Sequence, residues 1–128
     1  FYSNTPKLKQ LMEKVQKVAA KGYVPGLDGR RILIRSEHAA LNSLLQGCGA
    51  IIAKQWCVEA HKVFKQKRLP VRQVAFVHDE IQIEAEEKYG EEVASIMCNA
   101  ASQAGLTLAF RCPVDAEAKI GKNWFECH

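Results

Sequence analysis

Apolar residues recur at helical spacing almost from the start of the chain. Leu8, Leu11, Met12, Val15, Val18 and Ala19 share one side of a helix that opens on Thr5 and Pro6. Thr5 offers a capping hydroxyl, Pro6 a pre-set first-turn residue, and Gly22 a stop. Asp28-Gly29 is a tight-turn signal, and Ile32 to Ile34 between Arg31 and Arg35 read as a short strand, so a small hairpin is expected there. Ser36 then caps a second helix, with Glu37 in a first turn favoured by the helix dipole. Leu41, Leu44, Leu45, Cys48, Ile51, Ile52 and Trp56 give it a broad apolar side, and it can run to about Lys67, roughly 45 Å at the usual rise. Gly47, Gly49 and Ala50 strip bulk from its middle, which predicts a close neighbour.

Pro70 ends that region. Val71 to Val77 is apolar and β-branched, and Ile81, Ile83 and Ala85 alternate with Gln82, Glu84 and Glu86. The two runs predict a hairpin with His78-Asp79-Glu80 at its tip. A third helix is marked by Val93, Ile96, Met97, Ala100, Ala101 and Ala104, with Gly105 as its stop. Leu106, Leu108, Phe110 and Cys112 alternate as a last strand, and the tail from Pro113 is irregular or briefly helical. Hairpin, long helix, hairpin, helix and strand make an α+β fold: an antiparallel sheet with helices packed on one face and one long helix, in a single domain over residues 1–128.

Composition narrows the class without naming a function. At 128 residues, 48% hydrophobic and 25% charged, the chain is globular material with one core. No apolar run approaches the roughly 18–20 residues that span a bilayer, so no membrane role is expected. The net charge of +4 permits a phosphate-bearing partner but does not demand one. Cys48, Cys57, Cys98, Cys112 and Cys127 include no Cys-x-x-Cys pair, which argues against structural zinc and for a reducing, cytoplasmic setting. The opening Phe1-Tyr2-Ser3-Asn4 reads as a piece of a longer chain.

The strongest chemical signal is the His-Asp-Glu cluster between two apolar strands. Two carboxylates on a rigid turn are hard oxygen ligands suited to Mg²⁺; a solvated acidic turn is the plainer alternative. Asn42 and Gln46 lie one helical turn apart and share a side, with His38 one turn earlier. Arg30, Arg31 and Arg35 flank the first hairpin, where they can meet phosphates or pair with a nearby acid such as Glu37.

These elements carry a family resemblance. Val77 to Gln82, VHDEIQ, resembles the third conserved motif of the family A DNA polymerases, the DNA polymerase I type. Gly26 to Gln46, GLDGRRILIRSEHAALNSLLQ, resembles the segment joining fingers to palm in the members from short-tailed bacteriophages. Gly121-Lys122-Asn123-Trp124 with His128 resembles the ending of those chains, and Phe1 to Pro6 the stretch after the nucleotide-binding helix. The ordered set covers nearly the whole chain.

The resemblance implies the C-terminal palm segment of a DNA-directed DNA polymerase, with Asp79 as one of two aspartates that hold two catalytic Mg²⁺ ions. It implies Glu80 supporting the metal site, His78 near the primer terminus, and Asn42 and Gln46 reading the minor groove there. His38 stands where bacterial members have arginine, and His128 approaches the site. The implied partners are primer–template DNA, dNTP and the rest of the polymerase chain, in the host cytoplasm if phage-encoded. The second aspartate and the nucleotide-binding helix fall outside these residues, so the segment alone is expected to be inactive and to bind Mg²⁺ weakly. The competing expectations are a non-catalytic duplex DNA-binding module that retains the fold and a metal-dependent nuclease using His78, Asp79 and Glu80.

Overall fold

The computed structural model describes residues 5–127. The chain divides into two compact units, Phe1–Ile51 and Ile52–His128.

In the first unit, helix α1 (Pro6–Ala19) leads into strands β1 (Tyr23–Pro25) and β2 (Arg31–Leu33). Pro6 occupies the first helical turn as expected. The carbonyl of Thr5, rather than its hydroxyl, holds that turn by accepting from the amides of Leu8 and Lys9. The strands pair antiparallel, Val24 opposite Ile32, around the Asp28-Gly29 turn, where Gly29 takes φ +81°. The expected strand to Arg35 ends as a strand at Leu33, although the Ile34 amide still donates to the Gly22 carbonyl in the register of the same ladder. Ser36 precedes a 3₁₀ turn (Glu37–Ala39) before the long helix α2 (Ala40–Lys67) begins. Val15, Ala19, Val24 and Ala40 are buried together, with Ile32, Ile34, Leu41 and Leu44 packed around them.

Two expectations for α2 need correction. Leu45 is 56% exposed, so it lies off the packed side. Of the two glycines, only Gly47 has a close neighbour: a Cβ there would sit 2.8 Å from Cδ1 of Ile32, whereas Gly49 has nothing within 4 Å.

In the second unit, the end of α2 is followed by strands β3 (Val71–Val77) and β4 (Glu80–Ala85), a 3₁₀ turn (Glu87–Tyr89), α3 (Gly90–Thr107) and a short α4 (Trp124–Cys127). The helical period of α3 delivers its buried side as read: Val93, Ile96, Met97, Ala100, Ala101 and Ala104. Of these, Val93, Ile96, Met97 and Ala100 form one core with Ala60 and Phe64 of α2, while Ile81 and Ile83 of β4 pack on the same core. Burying a side chain such as Phe64 contributes about 1.5–3 kcal/mol. Thus the hairpin packs against helices, and the fold is α+β.

The expected last strand is absent: Leu106 and Thr107 finish α3 and the chain then turns. The Phe110 amide donates to the Gly105 carbonyl and the Ala109 amide to that of Leu106, with Ala109 at φ 54°. This is a Schellman closure, and it consumes the residues whose alternation suggested a strand. Gly105 therefore is not the stop. It lies buried inside the helix, where an added Cβ would come within 2.8 Å of Val114. Among the described residues no helix is long and apolar enough to cross a membrane.

Candidate functional site

The β3–β4 ladder runs from Val71 opposite Ala85 to Val77 opposite Glu80, leaving His78 and Asp79 as the whole turn. A two-residue connection of this kind needs left-handed backbone, and His78 supplies it at φ 56°. A left-handed non-glycine residue is strained, and such residues gather where a site must be held in place. His78 and Asp79 are exposed, and Glu80 is half-buried at the first pair of the ladder. Gln82 lies two residues on, hence on the same side of the strand, and its Nε2 donates to Oε1 of Glu80. That contact was missed in the sequence, although the alternation in VHDEIQ carries it.

The chemistry at the tip is one exposed carboxylate beside a second that is oriented by an amide. Among the described residues, no group of three or more His, Cys, Asp or Glu side chains can hold a metal ion. The residues present therefore do not fit a complete cation cage. They do fit a contribution of one or two carboxylates, which is what Mg²⁺ commonly takes when phosphates and water fill its remaining positions.

The first unit carries the other set. His38 in the 3₁₀ turn and Asn42 and Gln46 on α2 are all exposed and follow one another at one-turn intervals. Beyond them Gly49 adds no bulk, so the amides stand on an open side of the helix. The arginines divide. Arg30 is paired with Asp28, its Nη2 2.5 Å from Oδ2, and this partner holds the Asp28 carboxyl below its ordinary value. The Arg31 guanidinium lies 4.9 Å from the centre of the Tyr23 ring. Arg35 is exposed. His128 lies outside the described residues. The structure thus gathers His78, Asp79 and Glu80 at one hairpin end, and Asn42 and Gln46 on one helix with His38 in the 3₁₀ turn that leads into it.

The description of DNA polymerase family A matches residues 1–126. The chain belongs to this family. It is 35% identical over 153 aligned residues to the DNA-directed DNA polymerase of Enterobacteria phage T3 and, over the same length, to that of Escherichia phage T7. Both alignments take in all of this chain and 21% of the relative. DNA polymerase I of Aquifex aeolicus is 32% identical over 127 residues, 97% of this chain and 22% of its own length. The family A chain thus spans about a fifth of the length of the curated relatives it matches. Among solved structures, the POL domain of Pol1 from M. smegmatis, in complex with DNA primer-template and dNTP, superposes with a TM-score of 0.73. That match has 25% identity and covers 91% of this chain and 22% of that one.

Proposed function

We propose that this family A segment is the C-terminal palm part of a DNA-directed DNA polymerase, and that Asp79 is its contribution to the metal-binding centre. The observation that carries the reading is the position of Asp79: exposed, in a two-residue turn, on a hairpin anchored to a packed core. A carboxylate held this way keeps its place without rearrangement, as a phosphoryl-transfer site requires. Glu80, oriented by Gln82, adjoins it. Asp79, with Glu80 beside it, would hold part of a divalent-cation site, and such ions would supply Lewis-acid activation of a primer hydroxyl and charge stabilisation for a pyrophosphate leaving group.

The substrates of this reading are primer–template DNA and dNTP, the ligands of the Pol1 structure. Asn42 and Gln46 offer amide donors from an open helix side. Acceptors at purine N3 and pyrimidine O2 are common to all Watson–Crick pairs, so such donors test pair geometry rather than sequence. His38 extends the same side, His78 stands beside the primer end, and Arg31 and Arg35 meet backbone phosphates. Arg30, already paired with Asp28, reaches a phosphate only by exchanging partners. Among the described residues no third His, Cys, Asp or Glu joins the acidic tip in a metal-holding group, and in this reading the segment by itself should incorporate no nucleotide.

The test is Asp79→Ala in the complete polymerase polypeptide. Incorporation should be abolished while primer–template binding is retained; a variant that still extends primers overturns the assignment. Asn42→Ala and Gln46→Ala should lower extension and mismatch discrimination more modestly.

A further inference from the structure

The net positive charge is not shared between the two compact units. Residues 1–51 carry eight basic side chains against three acidic ones, whereas residues 52–128 carry ten against eleven. Within the first unit the excess concentrates on α1, which holds Lys7, Lys9, Lys14 and Lys17 against Glu13 alone, with Lys21 just beyond its end.

Their spacing places most of them together. Lys7 and Lys14 are seven residues apart, and at 3.6 residues per turn that leaves them within roughly 20° of each other around the helix. Lys17 follows at i+3 from Lys14, while Gln10 fills the interval with a neutral polar group. All five are exposed. Val15 and Ala19, the residues α1 buries, lie on another side of the helix. The ion pairs found among the described residues involve none of these lysines.

From Lys7 to Lys17 the stripe is roughly 15 Å long. Along the duplex axis each strand carries one phosphate per about 3.4 Å, so at most some four phosphates of one strand lie opposite it. Lysines without interleaved aromatic residues suit a backbone rather than bases.

We infer that the lysine side of α1 is a sequence-independent docking surface for the sugar-phosphate backbone of DNA, distinct from the Asn42–Gln46 side of α2. The inference rests on the polymerase reading for its choice of DNA over other polyanions.

The experiment uses the complete polymerase polypeptide and measures primer–template affinity by fluorescence anisotropy across a salt series. The triple variant Lys7→Gln, Lys14→Gln, Lys17→Gln keeps good helix formers. It should weaken binding about tenfold or more at low salt and reduce the slope of log Kd against log salt by roughly 2–3. The matching triple Lys→Arg variant should keep the wild-type slope, which separates charge loss from misfolding. Single-stranded template and duplex probes assign the surface to one form of DNA, since each lost contact changes the slope by about 0.7 for the first and 0.9 for the second. An unchanged slope on both overturns the inference, and loss of binding to a polyglutamate peptide with DNA binding intact would reassign the surface to an acidic protein. A polypeptide that incorporates no nucleotide sinks the polymerase reading, while the salt slope still decides the lysine surface.

Discussion

The indole Nε1 of Trp56 donates to the backbone carbonyl of Met97 at 2.8 Å, joining α2 to the middle of α3 across 41 positions of sequence. The ring also packs against the Phe64, Val93 and Met97 core. Trp56→Phe removes the bond and part of the ring volume but leaves the Met97 carbonyl within its helix. The loss should be about 1–2 kcal/mol, read as a lower urea midpoint with an unchanged slope.

Gly105 and Val114 test close packing. In Gly105→Ala the new methyl lies 2.8 Å from Val114 Cγ2 and 2.9 Å from its Cβ. The overpacking cost of about 1–3 kcal/mol should outweigh the gain of up to about 1 kcal/mol in helix propensity. Val114→Ala in the same chain should recover most of the loss, and a double-mutant cycle measures that coupling.

Arg68, His78 and Ala109 are the non-glycine residues with positive φ among those described, at 54°, 56° and 54°. Arg68 and Ala109 close α2 and α3, positions where glycine relieves the Cβ conflict. Arg68→Gly and Ala109→Gly should each raise stability by about 1 kcal/mol in chemical denaturation. His78→Gly should stabilise the hairpin similarly while lowering primer extension by the complete polymerase, because the strain belongs to the site.

Glu59 is 8% exposed, accepting from Gln55 at 2.6 Å, from Lys62 at 3.1 Å and from the Thr107 hydroxyl at 3.3 Å. The Lys62 ammonium, followed by the Gln55 amide, holds its carboxyl below the ordinary 4.5. A carboxyl depressed by folding contributes stability above its unfolded value and loses that contribution as pH falls through the folded one. The stability advantage over Glu59→Gln should therefore be full at neutral pH and shrink progressively below about 4.5. Paired urea titrations from neutral pH down into that range check the slope.

Legibility in the sequence followed the strength of the local signal. The buried side of α3 is written in a period of 3.6 and Ile81, Ile83 and Ala85 in a period of 2, while Val71–Val77 reads as a strand from its apolar, β-branched run. Leu106 to Cys112 misled because its alternation is the same whether the residues pair or close a helix. The deciding bond, from the Phe110 amide to the Gly105 carbonyl, leaves no trace in side-chain pattern. Gly105 was misread for a related reason: its need for smallness comes from Val114, which periodicity within α3 does not reveal. At the candidate site, the turn residues His78 and Asp79 were legible from their apolar flanks. The partners of Glu80 and Arg30 were not, since Gln82 and Asp28 act through side-chain geometry.

The β3–β4 ladder passes from Gln73 opposite Ile83 directly to Ala75 opposite Gln82, so Val74 is an additional residue with no counterpart on β4. Such an insertion bends and twists its strand. Removing Val74 would spare every existing pair on both sides of it and straighten the arm that carries Asp79. A deletion of one amino acid thus becomes an aiming screw: it swings the acidic tip while its chemistry, its turn and its anchorage stay the same.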